Sequence, residues 1–120
     1  CVGEPSHIRA AGNAASYVRD QLLSSCDDLS DGLVIAYEPV WAIGSGEAAS
    51  ADVASSMHLD IKTALADRYP DLRVIYGGSV KPDNCAAFTT AEGVDGLLVG
   101  GASLSAESFW NICASAKGAE

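Results

Sequence analysis

Basic residues are scarce in this sequence of 120 residues, in which seven lysines and arginines stand against sixteen aspartates and glutamates. The formal charge at pH 7 is therefore −9, and the basic residues are scattered along the chain. Nucleic acids and anionic lipid surfaces are bound through clusters of basic side chains. The composition thus argues against a nucleic-acid or membrane partner and predicts a solvated acidic surface.

Long apolar runs and paired cysteines are also missing. A helix that crosses a bilayer needs roughly 20 apolar residues in succession, and no run in the sequence approaches that length. No basic segment followed by an apolar one stands at the start, so the cytoplasm is the expected location. Four scattered cysteines form no CxxC pair, which argues against a zinc site and predicts reduced packing residues.

What is present is an alternation of short apolar runs and helical patterns. Three runs, at 33–37, 73–76 and 96–99, are largely branched or aliphatic and are closed by glycine or proline, as strands are. Cys1 and Val2 resemble the last residues of a fourth strand. Because continuous apolar strands that alternate with helices are typical of parallel sheets, the sequence predicts an α/β fold.

The helical patterns repeat apolar residues at spacings of three or four. One helix is predicted from Ile8, Ala11, Ala15, Val18 and Leu22. A second is predicted from Val53, Met57, Ile61 and Leu65.

Helix starts are predicted from capping residues. Ser50 is the expected N-cap of the second helix, and Ser105 that of the last one. Leu104 and Phe109 flank Ser105 in the positions of a hydrophobic staple. A shorter helix is expected to begin near Pro82, since proline suits the first helical position.

In parallel α/β proteins, ligands bind at the carboxyl ends of the strands. Here those ends are followed by Glu4, Glu38, 77–79 (Gly-Gly-Ser) and 100–101 (Gly-Gly). Glycine pairs let backbone N–H groups approach an anion closely. Each pair alone equally indicates a tight turn, whereas two at successive strand ends predict a phosphate grip. Glu38, at the rim of a buried layer, suits a general base or a structural ion pair.

The segment after Glu38 is typical of a lid. Residues 39–41 (Pro-Val-Trp) are stiff, and residues 42–46 are small and flexible, which predicts a flap with two hinges. Residues 44–49 also match the GxGxxA dinucleotide pattern, but these glycines do not directly follow the strand, so the pattern is discounted. His7 and His58 are isolated, and structural roles are expected for both.

Three segments together resemble the triosephosphate isomerase family, in order and spacing: AYEPVWAIGSG, YGGSVKPDN and GLLVGGASL. CVGE resembles an earlier strand end of the same family. The resemblance spans nearly the whole chain and implies that residues 1–120 are the C-terminal half of a barrel domain, four βα units of a TIM (β/α)₈ barrel. It also implies interconversion of dihydroxyacetone phosphate and glyceraldehyde 3-phosphate through an enediolate.

The resemblance assigns roles to particular residues, with Glu38 as the catalytic base. The implied contacts to the substrate phosphate are Gly44, Ser79, Gly100 and Gly101. The implied lid and latch are Pro39, Val40, Trp41, Ala42, Ile43, Ser45, Gly46, Tyr76 and Glu4. In this assignment Tyr76 and Ser79 latch the closed lid, while Glu4 partners the Trp41 indole when the lid is open. No metal and no cofactor are implied.

The departures from the family limit the resemblance. The family's asparagine-x-lysine pair, its electrophilic histidine and the acid that follows it belong to a first half that these residues do not contain. Ser45 stands where the lid usually carries threonine, and Glu47 where its second hinge usually begins with lysine. The implied partners are a phosphorylated triose, the missing N-terminal half-barrel and, for the complete protein, a second copy in a homodimer.

Four βα units cannot close an eight-stranded barrel, so the outer strands are expected to keep unpaired edges. Three arrangements would cover these edges: the missing half comes from a separate chain, two copies of this chain pair, or the chain is part of a longer polypeptide. The start of the sequence on a strand end favours the longer polypeptide. The isolated chain is expected to be inactive. Two other functions stay open: a non-catalytic phosphate-binding scaffold, and a different (β/α)₈ enzyme acting on a phosphorylated sugar.

Overall fold

The structure, a computed structural model, describes residues 1–26, 32–43 and 48–117. Its helices are α1 (Ser6–Ala10), α2 (Ala14–Ser25), α3 (Ala51–Ala64), α4 (Cys85–Thr89) and α5 (Ala106–Lys117). Its strands are β1 (Val34–Tyr37), β2 (Arg73–Gly78) and β3 (Gly96–Val99). Short 3₁₀ turns at Val40–Ala42 and Gly101–Leu104 follow β1 and β3. Among the described residues, no helix combines the length and the apolar character that a membrane span requires.

The three strands form one parallel sheet in the order β1-β2-β3. Val2 adds a single parallel bridge to Tyr37. The Val2 N–H donates to the Ala36 carbonyl at 2.9 Å, and the Glu38 N–H donates to the Val2 carbonyl at 2.7 Å. The end of a fourth strand therefore lies where the sequence predicts it, and the parallel α/β class is confirmed.

The single helix predicted between Ile8 and Leu22 is wrong, because the structure has two helices there. Gly12 lies between α1 and α2 with a φ of 78°, the left-handed conformation in which helices commonly end. Of the predicted apolar stripe, only Val18 and Leu22 are buried. Apolar periodicity runs across this break and therefore does not reveal it.

The start of α3 follows the sequence prediction. Ser50 is its N-cap, and the Ser50 hydroxyl accepts the Val53 N–H at 3.2 Å. Met57 and Ile61 are buried on the same helix. The predicted apolar stripe is thus the face that packs on the core.

The helix expected near Pro82 begins later, at Cys85. Residues 82–84 form turns, because the Asn84 side chain holds the chain there. Its Oδ1 accepts the Lys81 N–H at 2.7 Å, and its Nδ2 donates to the Ser79 carbonyl at 2.7 Å. An asparagine that bonds nearby backbone groups competes in this way with helix formation.

The cap of α5 is as predicted, but the staple is not. The Ser105 Oγ accepts the Ser108 N–H at 3.3 Å. Leu104 is 91% exposed, so it does not pack against Phe109 in a hydrophobic staple. The hydroxyl alone therefore defines the start of this helix.

The core lies between the sheet and helices α2 to α5. Tyr76 of β2 stacks on Phe88 of α4 with ring centroids 4.2 Å apart. β3 forms the edge of the sheet and pairs only with β2 among the described residues. Its Leu98 is 41% exposed, and Trp110 of the following helix is 71% exposed. The apolar surface is consequently less well covered at this edge than around β1 and β2.

The Ser50 cap gives a prediction about stability. Ser50→Ala should lower the free energy of unfolding by about 1 kcal/mol, because it leaves the Val53 N–H in the first turn of α3 without its acceptor. Ser50→Asp, which keeps an acceptor, should retain most of the stability. Urea unfolding followed by far-UV circular dichroism measures both variants. Equal midpoints for the wild type and Ser50→Ala would contradict the prediction.

Candidate functional site

A cleft of about 650 Å³ opens at the carboxyl ends of the three strands. Its lining includes Glu38, 77–79, Lys81, Gly100 and Gly101. Parallel pairing aligns the strand ends, so residues far apart in sequence meet at this edge. The structure thus brings together the predicted base and three of the four predicted phosphate contacts; the fourth, Gly44, lies outside the described residues.

Glu38 lies against the end of β2. A Cβ added at Gly77 would lie 2.6 Å from Glu38 Cγ and 3.3 Å from its Oε1. Side chains do not approach so closely, so only glycine at position 77 leaves room for Glu38 in this place. The carboxylate is half-buried and lines the cleft.

The first glycine pair differs from its prediction. Gly77 and Gly78 are the last residues of β2 and pair with Leu98 and Val99 of β3, so they do not form a turn. The chain leaves the strand only at Ser79. Gly77 permits close packing beside Glu38 and Gly78 permits it beside the Tyr76 hydroxyl, so a phosphate grip at this strand end depends on Ser79.

The second pair does lie in a turn. Gly100 precedes the 3₁₀ turn that begins at Gly101. Among the described residues, no atom lies within 4 Å of a Cβ built at either position. The backbone is open to the cleft there, as an anion-binding turn requires.

Two hydrogen bonds join the end of β2 to the flanks of the predicted lid. The Ser79 hydroxyl donates to the Ala42 carbonyl at 3.1 Å. The Tyr76 hydroxyl accepts the Ala49 N–H at 3.2 Å, and burial raises the pKa of Tyr76. The predicted lid residues Gly44, Ser45 and Gly46 lie outside the described residues.

The lid flank that is described begins with a turn. Pro39 and Ala42 are buried, and the 3₁₀ turn lies between them. Val40 and Ile43 are about half exposed, at 51% and 50%. The stiff segment predicted at this place is therefore anchored by the buried Pro39 and Ala42, while Val40 between them is exposed.

Glu4 is a fully buried carboxylate at the edge of this region. Its Oε1 accepts hydrogen bonds from Arg9 Nε at 2.7 Å, the Tyr37 hydroxyl at 2.8 Å and Trp41 Nε1 at 3.0 Å. Burial by itself raises the pKa of Glu4, but the bonds from Trp41, Arg9 and Tyr37 outweigh burial, so the pKa lies below its ordinary value. Burial and the Glu4 carboxylate raise the pKa of Tyr37, which keeps its proton and donates it.

The Glu4–Trp41 hydrogen bond occurs together with the Tyr76–Ala49 hydrogen bond. The resemblance assigns the Glu4–Trp41 contact to an open lid, and it assigns to Tyr76 the role of latching the closed lid. Both contacts are present in this structure, and the assignment of each contact to an open or a closed lid stays a prediction.

Residues that the sequence reasoning did not single out also lie near the site. Lys81 lines the cleft and is the cation nearest in sequence to Ser79. Arg9 and Tyr37 both contact Glu4, although Arg9 and Tyr37 lie 28 residues apart in the chain. A lysine inside the quoted YGGSVKPDN segment was a usable signal for Lys81. No local pattern identifies the other two.

His58 lies in the core, away from the cleft residues. It is fully buried in α3, and its Nδ1 is 3.2 Å from the Gly93 carbonyl oxygen. Burial lowers the pKa of His58. Its imidazole also contacts the edge of Tyr37, with ring centroids 5.8 Å apart, so its surroundings are those of a packing residue.

The chain is similar to known proteins over most of its length. The family model described as triosephosphate isomerase matches residues 1–116. The triosephosphate isomerase of Thermus thermophilus is 48% identical over 118 residues, which are 91% of this chain and 47% of the relative. Those of Marinobacter nauticus and Saccharopolyspora erythraea are 46% and 42% identical, over 96% and 98% of this chain and 48% and 49% of each relative. The chain thus spans about half the length of the curated relatives it matches.

The lowered pKa of Glu4 predicts how stability depends on pH. Ionised Glu4 stabilises the fold above its ordinary pKa of 4.5, and this contribution is lost as the pH falls through the lower pKa of the folded state. The free energy of unfolding should therefore fall less steeply below pH 4.5 in Glu4→Gln than in the wild type. Urea titrations between pH 7 and pH 3 measure the slopes. Glu92→Gln, at an exposed position, is the matched control and should keep the wild-type slope; a wild-type slope in Glu4→Gln as well would contradict the prediction.

Proposed function

This chain belongs to the triosephosphate isomerase family, and we propose that it contributes the base, the lid and the phosphate grip of an enzyme that interconverts dihydroxyacetone phosphate and glyceraldehyde 3-phosphate. The observation that carries the proposal is the cleft in which Glu38 faces Ser79, Gly100 and Gly101. A carboxylate beside an anion-binding turn is what proton abstraction from a phosphorylated substrate requires.

In the proposed reaction Glu38 removes a proton from the carbon next to the substrate carbonyl. The electron pair moves into an enediolate, and the hydroxyl proton passes from one oxygen to the other. The protonated Glu38 then returns a proton to the neighbouring carbon, so that carbonyl and hydroxyl exchange places. No electrons leave the substrate, so the step needs no redox partner. Hydrogen-bond donors must meet the charge on the enediolate oxygens, and the family resemblance attributes these to the lysine and histidine of the other half-barrel.

The grip on the phosphate is proposed to come from three features of the cleft. The open backbone at Gly100 and Gly101 offers N–H groups, and the Ser79 hydroxyl exchanges its bond to Ala42 for one to the ligand. Lys81 adds a positive charge at the cleft. In a chain with a formal charge of −9, such a local cation matters for attracting a dianionic substrate.

The lid is proposed to exclude water from the enediolate and so to prevent loss of phosphate, a use of lids for which this family is a known example. Tyr76 would hold the flank at Ala49, and Ser79 would hold the flank at Ala42 until the ligand takes the Ser79 hydroxyl, since these contacts are already present. Glu4 and Trp41 would fix its beginning.

The partners of the complete enzyme are proposals as well. An N-terminal half-barrel would pair with the open edge of β3 and cover Leu98. Homodimer formation and a cytoplasmic location are further expectations from the resemblance. The alternative function is a non-catalytic phosphate-binding scaffold, for which the open turn at Gly100 and Gly101 would suffice without Glu38. That scaffold would bind phosphate or phosphoglycolate without isomerising a triose.

The proposal is tested in an assembled enzyme, in which the N-terminal half of the Thermus thermophilus relative is joined to residues 1–120. Glu38→Asp should lower kcat/KM for glyceraldehyde 3-phosphate by about a hundredfold, because shortening the side chain withdraws the carboxylate by about 1 Å. Glu92→Asp, at an exposed position, is the matched control. Unchanged turnover in Glu38→Asp would show that Glu38 is not the base.

The isolated chain separates the enzyme from the scaffold. Phosphoglycolate binding by both forms, with turnover in the assembled enzyme alone, is the result expected of half an enzyme. Binding without turnover in either form would favour the scaffold.

The lid gives a second prediction for the assembled enzyme. Tyr76→Phe removes the acceptor of the Ala49 N–H, and a hydrogen bond of this kind is worth about 0.5–1.5 kcal/mol, or roughly two- to tenfold in rate. We expect kcat/KM to fall by that factor and the release of inorganic phosphate per turnover to rise. Tyr17→Phe, on the exposed side of α2, should change neither. A Tyr76→Phe enzyme with normal phosphate release would contradict the latch.

A further inference from the structure

Arg9 contacts two groups of the lid anchor at once. Its Nε donates to Glu4 Oε1 at 2.7 Å, and its guanidinium carbon lies 5.3 Å from the centroid of the Trp41 ring. Nη2 lies 3.4 Å from the Tyr37 hydroxyl oxygen. Neither the family resemblance stated above nor the proposed reaction gives this arginine a role.

The charge of Arg9, together with the hydrogen bonds from Trp41 and Tyr37, stabilises the buried carboxylate at this point. Glu4 is 0% exposed, and Arg9 is its ion-pair partner, with the arginine side chain still 32% exposed. A buried carboxylate without a counter-ion becomes protonated or draws in water. In either case the Glu4 Oε1 that now accepts the Trp41 indole N–H would lose charge or change position.

We propose that Arg9 is a positioning residue that holds Trp41 at the start of the lid, both through Glu4 and by direct contact with the indole. The inference rests on the proposed function, since positioning of the lid has a consequence only in the enzyme. Arg9 belongs to the short helix α1, which follows the first strand end. The residues after that strand are thereby connected to the segment that carries Trp41.

Arginine is suited to this position and lysine is not. A guanidinium is planar, carries several donors and stacks on an aromatic face while it donates in its own plane. An ammonium group is a single, strongly hydrated point charge. Arg9→Lys should therefore keep Glu4 ionised but lose the contact with the indole, whereas Arg9→Met loses both.

The first test uses fluorescence of the 120-residue chain with Trp110→Phe, which leaves Trp41 as its only tryptophan. Arg9→Met should shift the Trp41 emission to longer wavelength and increase its quenching by acrylamide, with Arg9→Lys in between. Arg19→Met, at an exposed position of α2, is the control for loss of a positive charge. Far-UV circular dichroism verifies that each variant folds. If Arg9→Met does not fold, the emission and quenching of Arg9→Lys are compared with those of the control instead. Emission and quenching equal to the control in a folded Arg9 variant would overturn the inference.

The second test is a double-mutant cycle with Trp41→Phe in the assembled enzyme, read out as the dissociation constant of 2-phosphoglycolate in calorimetry. When residues in contact are coupled, the effect of one substitution depends on the other. Arg9→Met should therefore weaken binding by about fivefold when Trp41 is present, and by about twofold or less in the Trp41→Phe background. Equal factors in the two backgrounds would overturn the inference, because a merely structural role predicts additivity. This measurement of binding needs no turnover. If the unmutated assembled enzyme did not isomerise its substrate, the proposed function would be contradicted, and that result is separate from the outcome of the binding test.

Discussion

The register between β1 and β2 is the constraint on which the site depends. Tyr37 pairs with Tyr76. The residues that follow these two, Glu38 and Gly77, therefore lie side by side. The missing side chain at Gly77 leaves the space that Glu38 occupies. A shift of one residue would place Glu38 beside Tyr76 or Gly78 and turn it to the other face of the sheet. The same parallel alignment brings Ser79 to the cleft that the turn after β3 also lines.

A buried charge is the second constraint, and its consequences reach farther along the chain. Removing a carboxylate from water is costly unless donors replace the water. Glu4 receives donors from α1, from β1 and from the segment after β1. These three parts of the chain must therefore keep their relative positions for the charge to be accommodated. Removing one partner of such a network leaves an uncompensated buried charge, and the network lies beside the start of the proposed lid.

The arrangement also explains why half of a barrel carries only part of the proposed chemistry. The cleft contains the proposed base and the open turn at Gly100 and Gly101, while Leu98 at the edge of β3 and Trp110 of α5 are exposed. Proton abstraction needs donors for the enediolate oxygens in addition to a base. The proposed enzyme thus divides its groups between two half-barrels, and parallel strand ends that meet at one edge allow such a division.

Several local features followed from the sequence because each has a local cause. Strands of parallel sheets are typically continuous apolar runs, so β1, β2 and β3 were predictable. The Ser50 and Ser105 caps were predictable too, because they act within one helical turn. The single helix predicted across Gly12 and the staple at Leu104 were wrong, since neither a break in an apolar stripe nor the exposure of a leucine is visible in residue spacing. The motifs that resemble the family indicated Glu38 and its cleft neighbours, whose roles remain predictions.

The sequence by itself determined the parallel α/β class, the family and the residues at the strand ends, because these depend on composition and on short contiguous motifs. Only the tertiary structure decided that Glu38 rests on Gly77, that the first glycine pair continues a strand, and that Arg9 and Tyr37 share the Glu4 carboxylate. The physical reason is that these are contacts between residues distant in the chain. Such contacts follow from strand register and from the packing of buried charge, and neither leaves a periodic pattern in the sequence.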